Sequence, residues 1–308
     1  MSGIRLGLVG IGKIARDQHV PALVASGRFE LAATASREGS VDGVPRFTDI
    51  AKMIAAAGGE LEAVSICTPP DGRFDQAVAA IDAGLHVMLE KPPCTTVSEI
   101  ASLSRRARDR GVSLFATWHS REAAGVEPAR NWLAGKEIRG ARIVWKEDIR
   151  RWHPGQSWIL GRGGFGVFDP AINALSIATL LLSDELALRS AWMEVPFGCA
   201  APLRARLQMC LGSAPVNAEF DFLKQGAQIW DLVVETSEGT LTLSEGGRIL
   251  ELCDGTKIAG ADREYSRLYD RFAELIASGC SDVDIRPLQL VADAFLVANV
   301  ESGARFAF

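Results

Sequence analysis

A glycine-rich turn near the start of the chain is the first feature whose residue types could do chemistry. Gly10-Ile11-Gly12-Lys13-Ile14-Ala15 directly follows a short apolar segment and opens a helical one. Gly10 suits a tight turn, Gly12 lets the backbone approach a pyrophosphate, and Ala15 allows the helix to pack closely on the strand. Free backbone N–H groups at the helix start would then bind the anion. The pattern predicts a dinucleotide site, and the alternative is a glycine turn that binds nothing.

The residues after the second apolar segment bear on which dinucleotide binds. Asp or Glu at this position usually holds the ribose 2′-hydroxyl of NAD, whereas Arg accommodates the 2′-phosphate of NADP. Here the segment ends at Ser36-Arg37, whose hydroxyl and guanidinium suit a phosphate, and Glu38 follows immediately. We therefore expect NADP to be preferred and NAD to be accepted. The alternative is that Arg37 is a solvated loop residue.

Lys91 follows the apolar segment His86–Glu90, in the sequence Glu90-Lys91-Pro92. Open α/β sheets bind ligands beyond the carboxyl ends of their strands, so a lysine there could accept or steer a proton beside a cationic nicotinamide. The alternative is an ordinary surface lysine. Two other sites at strand ends are predicted cofactor contacts for the same reason, and these are Cys67-Thr68-Pro69 and Glu90.

Asp169 and Asn173 are four residues apart on a predicted helix, so their side chains share one face. Asp169 also precedes Pro170, and an Asp N-cap followed by Pro in the first turn is a common helix start that needs no substrate. Asp169 is therefore either a helix cap or a catalytic group. Asn173 cannot titrate, so it can hold and polarise a hydroxyl but cannot act as a base.

These residues need a scaffold, and the hydrophobic pattern predicts one of two parts. Up to about residue 119, short apolar strands alternate with amphipathic helices, which predicts a doubly wound parallel sheet, the Rossmann arrangement. Its predicted strands are Ile4–Val9, Leu31–Ser36, Ala63–Thr68, His86–Glu90 and Ser113–Thr117. Residues 120–308 are predicted to form an α+β domain with a large, mainly antiparallel open sheet, closed by helices at 264–278 and 287–301.

Length and composition limit the classes of protein. The chain has 308 residues, of which 48% are hydrophobic and 23% charged, as expected for two globular domains. The net charge of −5 argues against nucleic acid or an anionic membrane as the main partner. The six cysteines include no C-x-x-C pair, which favours reduced thiols over disulfides or a metal site. We expect a cytoplasmic enzyme without a metal or a targeting segment, acting on a small molecule, and a homodimer formed through an exposed sheet face.

Together these motifs resemble the Gfo/Idh/MocA oxidoreductases. The matching stretches are residues 7–15, Glu90-Lys91-Pro92, and Gly163-Gly164 onward to Asp169 and Asn173. The resemblance covers nearly the whole chain. Three longer stretches, residues 13–19, 115–120 and 145–156, resemble the bacterial L-arabinose/D-galactose 1-dehydrogenases within that family.

The resemblance implies an aldose 1-dehydrogenase that moves a hydride from C1 of pyranose L-arabinose or D-galactose to NAD(P)⁺ and yields the aldonolactone. It implies that Lys91 lies beside the nicotinamide and that Asp169 faces the reacting hydroxyl. The family usually has His where this chain has Asn173, so the proton would pass to Asp169, Lys91 or a relay to water. The implied catalytic residues are Lys91, Asp169 and Asn173, and the implied substrate contacts are Lys91, His119, Glu147, Trp152, His153, Asp169 and Asn173.

Two alternative functions follow from the same resemblance. One is another oxidoreductase of the family, acting on an inositol, a dihydrodiol or a keto-sugar, for which His at position 173 would be expected. The other is a non-catalytic NAD(P)-binding sugar regulator, which can dispense with the lysine. The presence of Lys91, Asp169 and Asn173 favours the aldose dehydrogenase over both.

Overall fold

The computed structural model describes residues 3–57, 59–182 and 185–308. The chain divides into two compact units, of which unit 1 is Met1–His119 with Glu264–Ile285 and unit 2 is Ser120–Arg263 with Arg286–Phe308. The first break coincides with the predicted one after residue 119. Residues 264–285 differ from the prediction, because they pack with unit 1 and not with the second part of the chain.

The strands and helices of the described residues have the following bounds. In chain order the strands are β1 Ile4–Val9, β2 Phe29–Ala35, β3 Arg46–Phe47, β4 Ala63–Ile66, β5 His86–Leu89, β6 Leu114–Ala116, β7 Ile138–Lys146, β8 Leu186–Pro196, β9 Arg204–Leu211, β10 Ala214–Asp221, β11 Ile229–Thr236, β12 Gly239–Ser244, β13 Ile249–Leu252, β14 Lys257–Ala259 and β15 Asn299–Gly303. The α-helices are α1 Val20–Ser26, α2 Ile50–Ala57, α3 Arg73–Asp82, α4 Val97–Arg110, α5 Val126–Leu133, α6 Ile149–Trp152, α7 Phe168–Leu181, α8 Glu264–Ser278 and α9 Arg286–Val297.

Unit 1 is built on a sheet with the order β3-β2-β1-β4-β5-β6, in which neighbouring strands are parallel. An order that runs outward in both directions from β1 is the doubly wound arrangement, and this confirms the predicted fold class. The five predicted strands are all present, with ends that differ from the prediction by at most two residues. The short strand β3 was not predicted.

Helix α8 belongs to unit 1 because its apolar stripe completes the core of that unit. Tyr265, Leu268, Tyr269 and Phe272 are buried in one cluster with residues of β1, β2 and β6. The Phe272 ring lies 5.8 Å from that of Phe29, nearly parallel to it. A helix late in the chain therefore covers the sheet that begins the chain.

Unit 2 holds a sheet with the order β14-β13-β12-β11-β7-β10-β9-β8-β15. Most neighbours are antiparallel, as predicted, and the parallel pairs are β7 with β10 and β8 with β15. The predicted helix over 287–301 is wrong at its end. Helix α9 stops at Val297, and residues 299–303 form an edge strand whose backbone pairs with β8, a long-range contact that local periodicity does not contain.

Candidate cofactor and substrate sites

The glycine turn joins the end of β1 to a helical segment whose π-helical turn, Ala15–His19, leads into α1. Gly10 has φ +86°, and its N–H donates to the carbonyl oxygen of Ala35 at 2.8 Å. Ile11 is buried and anchors the turn, whereas Gly12, Lys13 and Ile14 are exposed. A Cβ atom added to Gly12 would meet no protein atom within 4 Å. The turn thus leaves open space at the start of a helix, which fits a dinucleotide phosphate.

The segment after β2 lies against this turn. An ideal Cβ at Gly39 would come within 2.6 Å of the Ile11 Cβ, so the two backbones are in close contact. The Ser36 hydroxyl accepts the N–H of Gly39 at 3.2 Å. Arg37 and Glu38 are exposed. The predicted 2′-phosphate residues therefore lie on a loop beside the glycine turn.

A buried arginine that the sequence analysis did not single out holds the loops after β4 and β5. Arg73 is 2% exposed and donates to the backbone carbonyl oxygens of Thr68, Glu90 and Pro92. Cys67 and Thr68 are half-buried, and Pro69 is exposed. Arg73 thereby fixes two of the loops in which cofactor contacts were predicted.

Lys91 is half-buried at the end of β5, and a cis peptide bond joins it to Pro92. Its backbone N–H donates to Glu90 Oε2 at 2.7 Å. Glu90 was predicted to contact the cofactor, and the structure places its carboxylate in the interior of unit 1, with 3% of the residue exposed.

The Glu90 carboxylate lies within a buried polar group that we call the His19 network, formed by His19, Glu90, Tyr265 and Tyr269. Glu90 Oε1 accepts the Tyr265 hydroxyl at 2.6 Å and lies 3.1 Å from His19 Nε2. His19 Nδ1 lies 2.8 Å from the Tyr269 hydroxyl. His19 could not be assigned from the sequence, because its partners come from distant segments.

Burial and charge act in opposite directions on this network. Burial alone would lower the pKa of His19, but Cys67, Tyr269 and Glu90 together raise it well above its usual value. Burial would raise the pKa of Glu90, but the hydrogen bond and charge of His19 lower it. Burial and the neighbouring Glu90 charge raise the pKa of Tyr265. The contact between His19 and Glu90 therefore favours the charged form of each partner.

His119 lies at the end of unit 1, where the chain leaves β6. Its Nδ1 is 2.5 Å from Glu264 Oε2, and its ring stacks on that of Tyr265 at 5.5 Å. The structure thus packs this predicted sugar contact against the first residues of α8. His86 has a structural contact instead. Its Nδ1 accepts the backbone N–H of Ser113 at 2.9 Å.

In unit 2, Asp169 is the second residue of α7 and is 5% exposed. The N-cap position is Val167, so the alternative that Asp169 serves as the helix N-cap is wrong. The Asp169 Oδ2 lies 3.6 Å from His153 Nε2. Asn173 is half-buried one turn further along α7. The structure therefore brings three of the predicted substrate contacts of this unit to one region.

Glu147 and Asp148 follow β7 and have different surroundings. Glu147 is 4% exposed, and its Oε2 accepts the indole N–H of Trp230 at 2.8 Å. Asp148 caps α6 by accepting the N–H of Arg150 at 2.9 Å. Of the two, Glu147 is the one that points inward, as the predicted sugar contact requires.

The Trp230 ring that binds Glu147 has two aromatic neighbours. The rings of Trp145 and Trp152 lie 5.7 and 5.4 Å from that of Trp230. Trp230 was missed in the sequence analysis, although it pairs with Trp145 across β11 and β7. Within the described residues, no acceptor reaches the buried indole nitrogen of Trp152. Trp152 is half-buried and packs on Trp230, the residue that binds Glu147.

In the described part of the chain, no group of three or more His, Cys, Asp and Glu side chains could hold a metal ion. Nor is any helix there both long and apolar enough to cross a membrane.

Comparison with known proteins places this geometry in a family. The family described as an oxidoreductase family with an NAD-binding Rossmann fold, Gfo/Idh/MocA, matches residues 4–117. A galactose 1-dehydrogenase from Pseudomonas fluorescens is 42% identical over 303 residues, which is 97% of each chain. The chain belongs to the Gfo/Idh/MocA oxidoreductases.

Solved structures agree with this membership. A D-galactose-1-dehydrogenase protein from Rhizobium etli superposes on this Gfo/Idh/MocA oxidoreductase with a TM-score of 0.94 and 47% identity, over 100% of this chain and 99% of the other. A 3-ketoreductase from Actinomadura kijaniata, solved with NADP and TDP-benzene, has a TM-score of 0.86 at 19% identity, over 98% and 99% of the two chains. The second likeness extends to the fold alone.

Two glycine variants of this Gfo/Idh/MocA oxidoreductase should separate folding from dinucleotide binding. Gly10→Ala places a Cβ 2.7 Å from the Thr68 backbone nitrogen at φ +86°, so we expect destabilisation by about 1–3 kcal/mol together with weaker binding. Gly12→Ala fills space open in the protein, so we expect an unchanged melting temperature and weaker binding. Thermal unfolding and calorimetric titration with NAD and NADP measure both. Unchanged affinity in Gly12→Ala would contradict the phosphate position.

Proposed function

We propose that this protein is an NAD(P)-dependent aldose 1-dehydrogenase that oxidises C1 of D-galactose or L-arabinose in the pyranose form. The observation that carries the proposal is the 42% identity to a galactose 1-dehydrogenase over 97% of both chains. The buried carboxylate of Asp169 beside His153, with Asn173 one turn along α7, supports it, because a sugar C1 hydroxyl needs a proton acceptor and hydrogen-bond partners.

In the proposed reaction, the C1–H bond breaks as a hydride leaves and the C1 hydroxyl loses its proton, so that the lactone carbonyl forms. The bound nicotinamide supplies the hydride acceptor. Asp169 or Lys91 accepts the proton, a role that contributes about 10²–10⁴-fold in rate. Asn173 holds the C1 oxygen by hydrogen bonding without titrating. The glycine turn and the loop at Ser36-Arg37 bind the cofactor phosphates.

The remaining predicted contacts are proposed to bind the sugar ring and to distinguish its hydroxyl configuration. His153, Glu147 and His119 offer hydrogen-bonding groups to ring hydroxyls, and Trp152 offers an aromatic surface for the pyranose face. L-Arabinopyranose and D-galactopyranose share their ring configuration and differ at the C6 hydroxymethyl group. Sites built to hydrogen-bond a hydroxyl reject analogues without it by about 10⁴–10⁵. Acceptance of both sugars together with rejection of epimers is therefore the expected pattern.

The first test is absorbance at 340 nm with purified protein, NADP or NAD, and four sugars. We expect rapid cofactor reduction with D-galactose and L-arabinose and little with D-xylose and D-glucose. Detection of the lactone by mass spectrometry or NMR checks the product. Absence of turnover on all four sugars with either cofactor would contradict the proposed function and favour another substrate or a regulatory role.

The cofactor preference has its own test at Arg37. Removing a charge-assisted hydrogen bond costs about 1.5–3 kcal/mol, so Arg37→Ala should lower the ratio of kcat/KM for NADP over NAD about 10- to 100-fold. Arg105→Ala, which removes an exposed arginine on α4, is the matched control and should leave the ratio unchanged. An unchanged ratio in Arg37→Ala would show that Arg37 is a solvated loop residue.

A further inference from the structure

The His19 network reaches Lys91 through the Glu90 carboxylate. The two carboxylate oxygens of Glu90 have different partners. Oε1 receives the Tyr265 hydroxyl and faces His19, whereas Oε2 receives the backbone N–H of Lys91 at 2.7 Å. The same carboxylate therefore joins α8 and the helix after the glycine turn to the residue proposed to act on the substrate proton.

Stability alone does not account for this arrangement. His19 and Tyr269 are fully buried, and Glu90 and Tyr265 are 3% and 5% exposed. Burying an ion pair costs desolvation energy, and replacing such a pair by well-packed apolar residues is often neutral or stabilising. The surrounding core of aromatic and aliphatic side chains already offers an apolar environment that such residues would fill. The network therefore calls for an explanation other than folding.

We infer that His19, Tyr265 and Tyr269 act through Glu90 as positioning residues that fix the backbone at Lys91. The inference rests on the proposed role of Lys91 in the aldose dehydrogenase reaction. Glu90 holds the Lys91 N–H only while its carboxylate stays in place, and two donors on its other oxygen keep it there. Misplacement of a reacting group by about 1 Å can cost 10²-fold in rate.

Several segments supply the groups around Glu90 and His19. Among them are Tyr265 and Tyr269 from α8, Cys67 from the loop after β4, and His119 after β6. Removing the His19 side chain takes away one of the two donors that hold Oε1. The carboxylate is then less firmly fixed, and so is the Lys91 backbone that it binds.

The test measures the Lys91 amine directly, so that it does not depend on sugar turnover. Trace acetylation over a range of pH, followed by peptide mass spectrometry, gives the labelling profile of Lys91, with exposed Lys52 as the internal reference. We expect His19→Gln to change the Lys91 profile, because the backbone that carries the amine is no longer held, and to leave the Lys52 profile unchanged. Tyr265→Phe removes one donor to Glu90 and should lower kcat about 10- to 100-fold without changing KM for the cofactor.

A core variant separates positioning from packing. Phe272→Leu alters the same cluster through a ring that stacks on Phe29 and has no polar group to offer the network. We expect it to lower the melting temperature and to leave kcat and the Lys91 profile unchanged. Equal losses of kcat in Phe272→Leu and Tyr265→Phe would overturn the inference, as would an unchanged Lys91 profile in His19→Gln. A wild-type protein without turnover on any sugar would instead contradict the proposed function, and the labelling result would still decide the inference.

Discussion

Lys91→Met is expected to lower kcat on D-galactose by about 10²–10⁴-fold and to leave cofactor affinity nearly unchanged. Met keeps the length of the apolar stem and removes the ammonium group. The backbone N–H that bonds Glu90 is retained, as are the carbonyl contacts of Arg73 with the same loop. The loss therefore reports the chemistry of the amine. Initial rates at 340 nm and quenching of tryptophan fluorescence by the cofactor measure the two quantities.

Two controls sharpen this expectation. Lys52→Met removes an exposed lysine on α2 and should keep the wild-type rate. Lys91→Ala opens space for a small primary amine, so added ethylamine should restore part of the rate if the missing group transfers a proton. Wild-type kcat in Lys91→Met would show that the lysine is an ordinary residue at a strand end.

Much of the fold follows from local patterns in the sequence. The alternation of apolar strands and amphipathic helices before residue 119 predicts the parallel sheet, because each strand of such a sheet is buried on both faces. The packing of α8 on unit 1 could not be predicted in this way. Its buried Tyr265 and Phe272 mark an amphipathic helix, but the helix pattern does not say which sheet that face covers.

The candidate sites also differ in whether local sequence patterns predict them. The glycine turn can be predicted from the sequence, because a dinucleotide phosphate site requires particular small residues at short spacing. The His19 network cannot be predicted from local patterns, because the Tyr269 hydroxyl that contacts His19 is 250 residues away in the chain. At Asp169 a local pattern suggests a role that the structure does not show. The Asp-Pro pair matches a helix cap, yet α7 begins at Phe168 and Asp169 lies in its first turn, so the carboxylate is not the N-cap.

The role of Asp169 leads to the second large expected effect. Asp169→Asn keeps the size and hydrogen-bonding capacity of the side chain beside His153 and removes its ability to accept a proton. We expect kcat to fall by about 10²–10⁴-fold with little change in melting temperature. Ser176→Ala is the matched control on α7, since it removes a buried hydroxyl that bonds the Asn173 carbonyl and leaves the carboxylate in place. That variant should keep a rate near wild type.

Combining the two variants distinguishes a shared role from separate ones. If Asp169 and Lys91 serve one proton transfer, either substitution already removes that step, so the double variant should be little slower than the slower single variant. If they act independently, for instance with Lys91 orienting the oxygen and Asp169 accepting the proton, the losses in log kcat should add. A rate in Asp169→Asn within a few-fold of wild type would exclude the carboxylate as proton acceptor, and the chemistry would then depend on Lys91 and a relay to water.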